Sequence, residues 1–164
     1  MANTFTVTKE ALKRSFAVYV VKAQKAKKIY LYVGKTGDNR EGCNPLISRC
    51  GNHFSYNKIH SQIRNKIPNH EEYEYKYYFD HFGNYSMQSS NRQSIDLINE
   101  MERWLNQLVQ EMISNLDSEK VELLNVYKGV SANRAVCEER QRFRNKSRQN
   151  KLTKIIEVLR ADIE

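Results

Sequence analysis

Cysteine, proline and glycine are scarce in this chain, and each shortage removes a class of protein. Cys43, Cys50 and Cys137 are the three cysteines in 164 residues, an odd number with no CxxC spacing. That argues against a disulfide framework and for a reducing compartment. Cysteines and histidines do not cluster at ligand spacing, so a structural zinc is not expected. Two prolines and six glycines leave no composition for long flexible linkers. No run nears the roughly 18 apolar residues of a membrane span, and Met1 to Thr8 lacks the apolar centre of a signal peptide. Repeats and low-complexity tracts are also missing. A soluble, cytoplasmic protein with no membrane partner is the expectation.

What the chain has is positive charge. Lys and Arg outnumber Asp and Glu by 27 to 19, a formal net charge of +8. A small basic protein binds polyanions readily, although a solvated surface held away from neutrality has the same composition. The length suits one domain with a sizeable core, so residues 1–164 are expected to form a single unit.

Periodicity gives a coarse order of elements. Thr8 can cap a short helix over Lys9–Lys13. Phe16–Val21 and Ile29–Val33 are β-branched and aromatic, predicting two strands. The intervening Lys22–Lys28, with four lysines, predicts an exposed loop longer than a two-residue hairpin turn. Gly34–Asn44 is a polar loop, and Asn44-Pro45 opens a helix carrying Arg49, Cys50 and His53. Tyr56–Lys66 repeats the helical look, with Ile59, Ile63 and Ile67 four apart. Tyr73, Tyr75, Tyr77 and Phe79 alternate within a third strand, Glu72–Phe82. Ser90–Leu116 is the longest helix pattern, with Ile95, Ile98, Met101, Leu105, Leu108, Val109, Met112 and Ile113 on one stripe. Val121–Val126 suits a short strand or an extended segment. A last long helix is expected over Ala132–Arg160, ending in the apolar Leu152, Ile155, Ile156 and Leu159.

Five residue types recur in a telling order. Ala17-Val18-Tyr19 lies on the first strand and Tyr32-Val33-Gly34 on the second. Arg49 and His53 then follow four apart on a helix. Singly, a strand tyrosine is a packing residue, and a helix arginine or histidine is a surface residue. In this order they resemble the GIY-YIG nuclease signature over residues 16–126, with residues 127–164 a basic helical extension outside it. Alanine stands where the family has its first glycine, and the spacer between tripeptides is slightly long, which a hairpin loop absorbs.

The resemblance implies an α/β (α+β) fold: an antiparallel three-stranded sheet flanked by helices. It also implies Mg²⁺-dependent cleavage of DNA phosphodiesters, with Mn²⁺ as a substitute. Tyr19 would act as base or position the water, with Tyr32 in support. A phenol serves in this way when a neighbouring cation or metal lowers its pKa. Arg49, never deprotonated, would stabilise the phosphoryl charge. His53 would bond the phosphate or relay a proton, and Lys35 would add charge. Gly34 would let a phosphate approach the strand end.

The family also places a metal-binding glutamate on a later helix, and two candidates exist. At about 100° per residue, Glu102 falls about 60° from the centre of the apolar stripe. Glu100 falls roughly 140° away, on the expected solvent face. Glu102 is therefore the expected ligand, and Asn125 a candidate for the family's late asparagine.

Arg140, Arg142, Arg144, Lys146, Arg148 and Lys151 recur at close intervals in the extension. On one helix they would surround the axis, giving phosphate contacts without a sequence code or simply a solvated helix. A type II restriction enzyme is the expected subclass, acting as a homodimer or as paired monomers on a palindromic site. The alternatives are a structure-selective, repair or mobile-element nuclease, a non-catalytic nucleic-acid-binding module of the same fold, and an RNA-directed protein.

Overall fold

The computed structural model describes residues 2–37, 43–88, 90–116, 120–128 and 134–164. Among these, the elements run β1 (Ser15–Lys25), β2 (Lys28–Lys35), α1 (Leu46–Phe54), β3 (Glu74–Asn84), α2 (Arg92–Ser114), β4 (Val121–Leu123), α3 (Arg134–Gln141) and α4 (Lys146–Ala161). A 3-10 turn at Lys9–Leu12 precedes β1.

The α+β class is as expected, but the sheet has four strands in the order β3-β1-β2-β4. β1 pairs antiparallel with β2 and β3, while β4 runs parallel to β2 through Ile29↔Val121 and Leu31↔Leu123. Of the two alternatives for Val121–Val126, a short strand holds over Val121–Leu123, but three residues carry too little periodicity to reveal what it pairs with. Its partner lies some ninety positions earlier, so only folding shows the pairing.

β1 and β2 form a tighter hairpin than the lysine-rich connection suggested. Lys25 pairs with Lys28, leaving a turn of Ala26 and Lys27, and Ala26 takes the left-handed φ of 52°. Lys22 is not exposed either. It is 6% accessible, and its ammonium lies 2.5 Å from the Asp162 carboxylate. The ion pair satisfies the charge that burial would otherwise leave uncompensated.

β1 is central and buried on both faces, as its continuous apolar run requires. One face, with Phe16, Val18, Val20, Leu31 and Val33, packs on Ile98, Met101 and Leu105 of α2 and on Leu152, Ile155 and Leu159 of α4. The other, with Tyr19, Val21, Ala23 and Tyr30, packs under Leu46 of α1 and under Ile63 and Ile67. The C-terminal segment is thus part of the core rather than an appendage.

Two helical expectations give way. Tyr56–Lys66 forms turns instead of a helix. Ser55 and Ser61 hydroxyls bond each other, and the Ser55 hydroxyl bonds the Asn52 carbonyl, competition that serine offers the backbone. Ile59 is 74% exposed, while Ile63 and Ile67 are buried. The expected long helix breaks into α3 and α4. Asn145 interrupts the basic run by accepting the Arg148 N–H at 2.9 Å as N-cap of α4. The expected start of that helix at Ala132 and part of the Gly34–Asn44 loop lie outside the described residues. Among the described residues, no helix is long and apolar enough to cross a membrane.

Candidate active site

The hairpin register sets Tyr19 directly opposite Gly34. A Cβ at position 34 would lie 2.5 Å from both Cζ and Oη of Tyr19. The ring crosses the glycine, so this position accepts no side chain. Alternation places Tyr32 on the same sheet face, two residues before Gly34 and diagonal to Tyr19. Tyr77 comes to that face from β3, since Phe79 pairs with Tyr19 and Tyr77 with Val21.

α1 lies over this face. Arg49 and His53, four apart, share one side of it, and Leu46 anchors it in the core. His53 is 2% exposed and Tyr19 fully buried. Tyr19 Oη lies 3.0 Å from His53 Nε2, and His53 Nδ1 lies 2.9 Å from Tyr77 Oη. Cys50, on α1, also acts on the Tyr77 phenol, adding to the rise that burial causes. With the imidazole proton on Nδ1, Tyr19 donates to Nε2 and Nδ1–H donates to Tyr77. The Tyr32 ring stands edge-on to His53 at 5.3 Å between centroids.

Burial controls the titration here. It pushes the Tyr19 phenol far above its ordinary value, with the negative charges of Tyr32 and Glu102 adding to the rise. Arg49 opposes the shift through its charge and a hydrogen bond. Tyr32 is raised too, by burial and then by Glu102, again against Arg49. Arg49 acts in the direction expected of a neighbouring cation, but its charge alone does not outweigh desolvation. His53 is pushed down to about 4, first by burial and then by Arg49, so it is neutral at physiological pH.

Glu102 reaches the same end of the hairpin from α2. Its side chain is 32% exposed and lies 3.8 Å from Lys35 Nζ. Lys35 also donates to the Asn99 side chain. Glu102 is coupled electrostatically to Tyr19, Tyr32 and Arg49. Burial raises its carboxyl against the pull of Lys35, Arg49 and Arg103.

Among the described residues, no group of three or more His, Cys, Asp or Glu gathers to hold a metal. The oxygen donors here are one carboxylate and the phenols. That set fits Mg²⁺, which takes one or two carboxylates and fills its octahedron with water and substrate oxygens. A cation would compete with Lys35 for Glu102.

Glu100 is not on the solvent face. It is 3% exposed, lies 2.8 Å from Arg144 Nη2, and accepts from Arg103 at 3.3 Å. The helical wheel ranked it by the sheet-facing stripe alone, whereas the segment before α4 covers a second side of α2. Asn125 has both side-chain amide atoms engaged with Val33, accepting from its N–H at 3.0 Å and donating to its carbonyl at 2.7 Å. It extends the sheet ladder past β4 and fixes the strand that carries Tyr32 and Gly34.

The basic run is divided. Arg144 bonds Glu100 and Gln107 and lies over the Trp104 ring. Arg148 donates to the Phe143 carbonyl. Arg142 pairs with Glu139 at 3.2 Å. Lys146 is exposed, and Arg140 is half-buried. Tyr77, Cys50, Asn99 and Arg103 belong to the site although sequence reasoning did not single them out. The alternation of Tyr73, Tyr75 and Tyr77 was the available signal for the first.

No protein-family model, curated protein or solved structure matches this chain.

Proposed function

We propose that this protein is a metal-dependent DNA endonuclease that hydrolyses phosphodiester bonds in the manner of the GIY-YIG nucleases. One observation carries the reading: Tyr19, Tyr32, Arg49, His53 and Glu102, from four separate elements, are coupled at one end of the hairpin. Packing alone does not require an arginine, a lysine and a glutamate beside three tyrosines and a histidine.

Arg49 and Lys35 bind and neutralise the phosphoryl oxygens. Tyr32, partly exposed, holds the attacking water and takes its proton. Glu102 raises the Tyr32 phenol and Arg49 lowers it, so neutralising the Glu102 charge favours the phenolate. Tyr19 is sealed from water and acts through His53, keeping the imidazole fixed beside Tyr32. A divalent cation held by Glu102, Mg²⁺ or Mn²⁺, supplies Lewis-acid stabilisation of the leaving oxygen.

The test is plasmid cleavage with Mg²⁺ or Mn²⁺ by the wild type and Arg49→Ala. The wild type should cut, and the variant should be slower by about 10²–10³-fold, the usual effect of losing one transition-state donor. Equal cleavage by both, or none by the wild type, sinks the nuclease reading. A discrete ladder supports a restriction-type enzyme, acting as a dimer on a palindromic site. A smear supports a structure-selective, repair or mobile-element enzyme, and preference for RNA supports an RNA-directed one. The complete burial of Tyr19 favours the rival reading, a binding module that retains the fold. Duplex binding without cleavage would establish it.

A further inference from the structure

A polar cavity of about 230 Å³ lies between α2 and α3, beside the candidate active site. Arg92, Asp96, Asn99, Arg103, Glu139 and Arg140 line it, so three guanidiniums face two carboxylates. Asp96 lies 3.4 Å from Arg92, and Glu139 pairs with Arg142 outside the cavity. The volume is below the roughly 300–1,000 Å³ of small-molecule pockets, and the lining is polar. Guanidinium forks match phosphate oxygens.

The cavity is continuous with the site. Asn99, Glu102 and Arg103 stand at i, i+3 and i+4 on α2, along one side of the helix. Asn99 accepts from Lys35 in the site while lining the cavity, and Arg103 acts on the Glu102 charge while lining it too. Arg103 is held in place by the buried Glu100, which also fixes Arg144 ahead of α4.

We infer that this groove is a phosphate track. It receives the sugar–phosphate backbone of the DNA strand flanking the bond held at Arg49 and Lys35. The inference rests on the proposed nuclease reading and names where the substrate runs. Arg103 makes the contact next to the site, and Arg140 and Arg92 make the farther ones. The groove confers affinity without reading bases.

Binding of a fluorescein-labelled DNA duplex, followed by anisotropy in EDTA between about 50 and 200 mM salt, tests this apart from cleavage. The slope of log K against log salt is about −0.9 per phosphate neutralised. The Arg92→Ala/Arg140→Ala double variant should lose about 1.8 from that slope. Arg140→Glu alone should weaken binding at least about tenfold at low salt, by loss of a contact and addition of repulsion. Arg160→Ala, which removes one positive charge on the far end of α4, should leave the slope unchanged. If the wild type binds and the double variant keeps its slope, or Arg160→Ala lowers the slope equally, the groove is not the track and the nuclease reading stands. If the wild type neither binds nor cleaves DNA, both fail.

Discussion

Replacing Gly34 by alanine tests the packing on which the site is built. The new methyl would meet Cζ and Oη of Tyr19 at 2.5 Å and Cε2 at 2.7 Å. Tyr19 has nowhere to go: it is fully buried, its hydroxyl is bonded to His53, and Tyr77 packs on it at 5.9 Å between centroids. Overpacking of this kind costs about 1–3 kcal/mol, and losing the Tyr19–His53 bond adds about 1 kcal/mol. Gly34→Ala should therefore destabilise by about 2–4 kcal/mol, which lowers Tm by about 5–15 °C in a chain of this size. Tyr19→Leu removes the clashing atoms and alone should cost about 2–4 kcal/mol. In that background the methyl has room, and glycine to alanine in a strand is neutral or mildly favourable. The double variant should thus be more stable than the sum of the single changes predicts, by about 2 kcal/mol. Urea unfolding of the four proteins measures the coupling. Additivity within about 0.5 kcal/mol would mean that Tyr19 does not cross Gly34, and the basis of the site would be lost.

Acid should weaken the fold through His53. The folded imidazole stays neutral down to about pH 4, whereas an unfolded histidine protonates near pH 6.5. Below about pH 6.5 the unfolded chain holds a proton that the folded one lacks, so stability falls as pH drops and levels off below about 4. The full shift amounts to about 3 kcal/mol, and urea midpoints of His53→Gln should be flatter than wild type across that window. The two glutamates should separate. Glu100→Gln leaves Arg103 and Arg144 around a neutral group and should cost about 3 kcal/mol, read as a lower urea midpoint. Glu102→Gln removes a carboxylate whose ionisation folding disfavours, so the variant should match or exceed wild-type stability at pH 7 while losing metal-dependent cleavage. That ionisation penalty is present above the raised folded pKa and is relieved as pH falls toward the unfolded value. Asp162→Asn should destabilise by about 2–4 kcal/mol by stranding the buried Lys22. Lys22→Met combined with Asp162→Asn should recover most of that loss in thermal unfolding.

Much of the fold is local enough to be legible in the chain. β-branched and aromatic runs placed β1 and β2 within a few residues of their bounds, and alternating tyrosines placed β3. The apolar stripe of α2 identified the helix because burial on one face imposes its period. The order of Tyr19, Tyr32, Gly34, Arg49 and His53 could be read because strand alternation and helical spacing each fix which residues share a side. Tertiary structure decided what periodicity does not encode. Glu100 and Glu102 differ in surroundings because a distant segment, carrying Arg144, covers one side of α2. β4 exists as a strand through its parallel pairing with β2, and Lys22 is buried because the chain's last residues return with Asp162. The phenol pKa values were beyond the sequence for the same reason. Their direction depends on whether the Arg49 charge or desolvation is larger, and desolvation is a property of everything packed around the group.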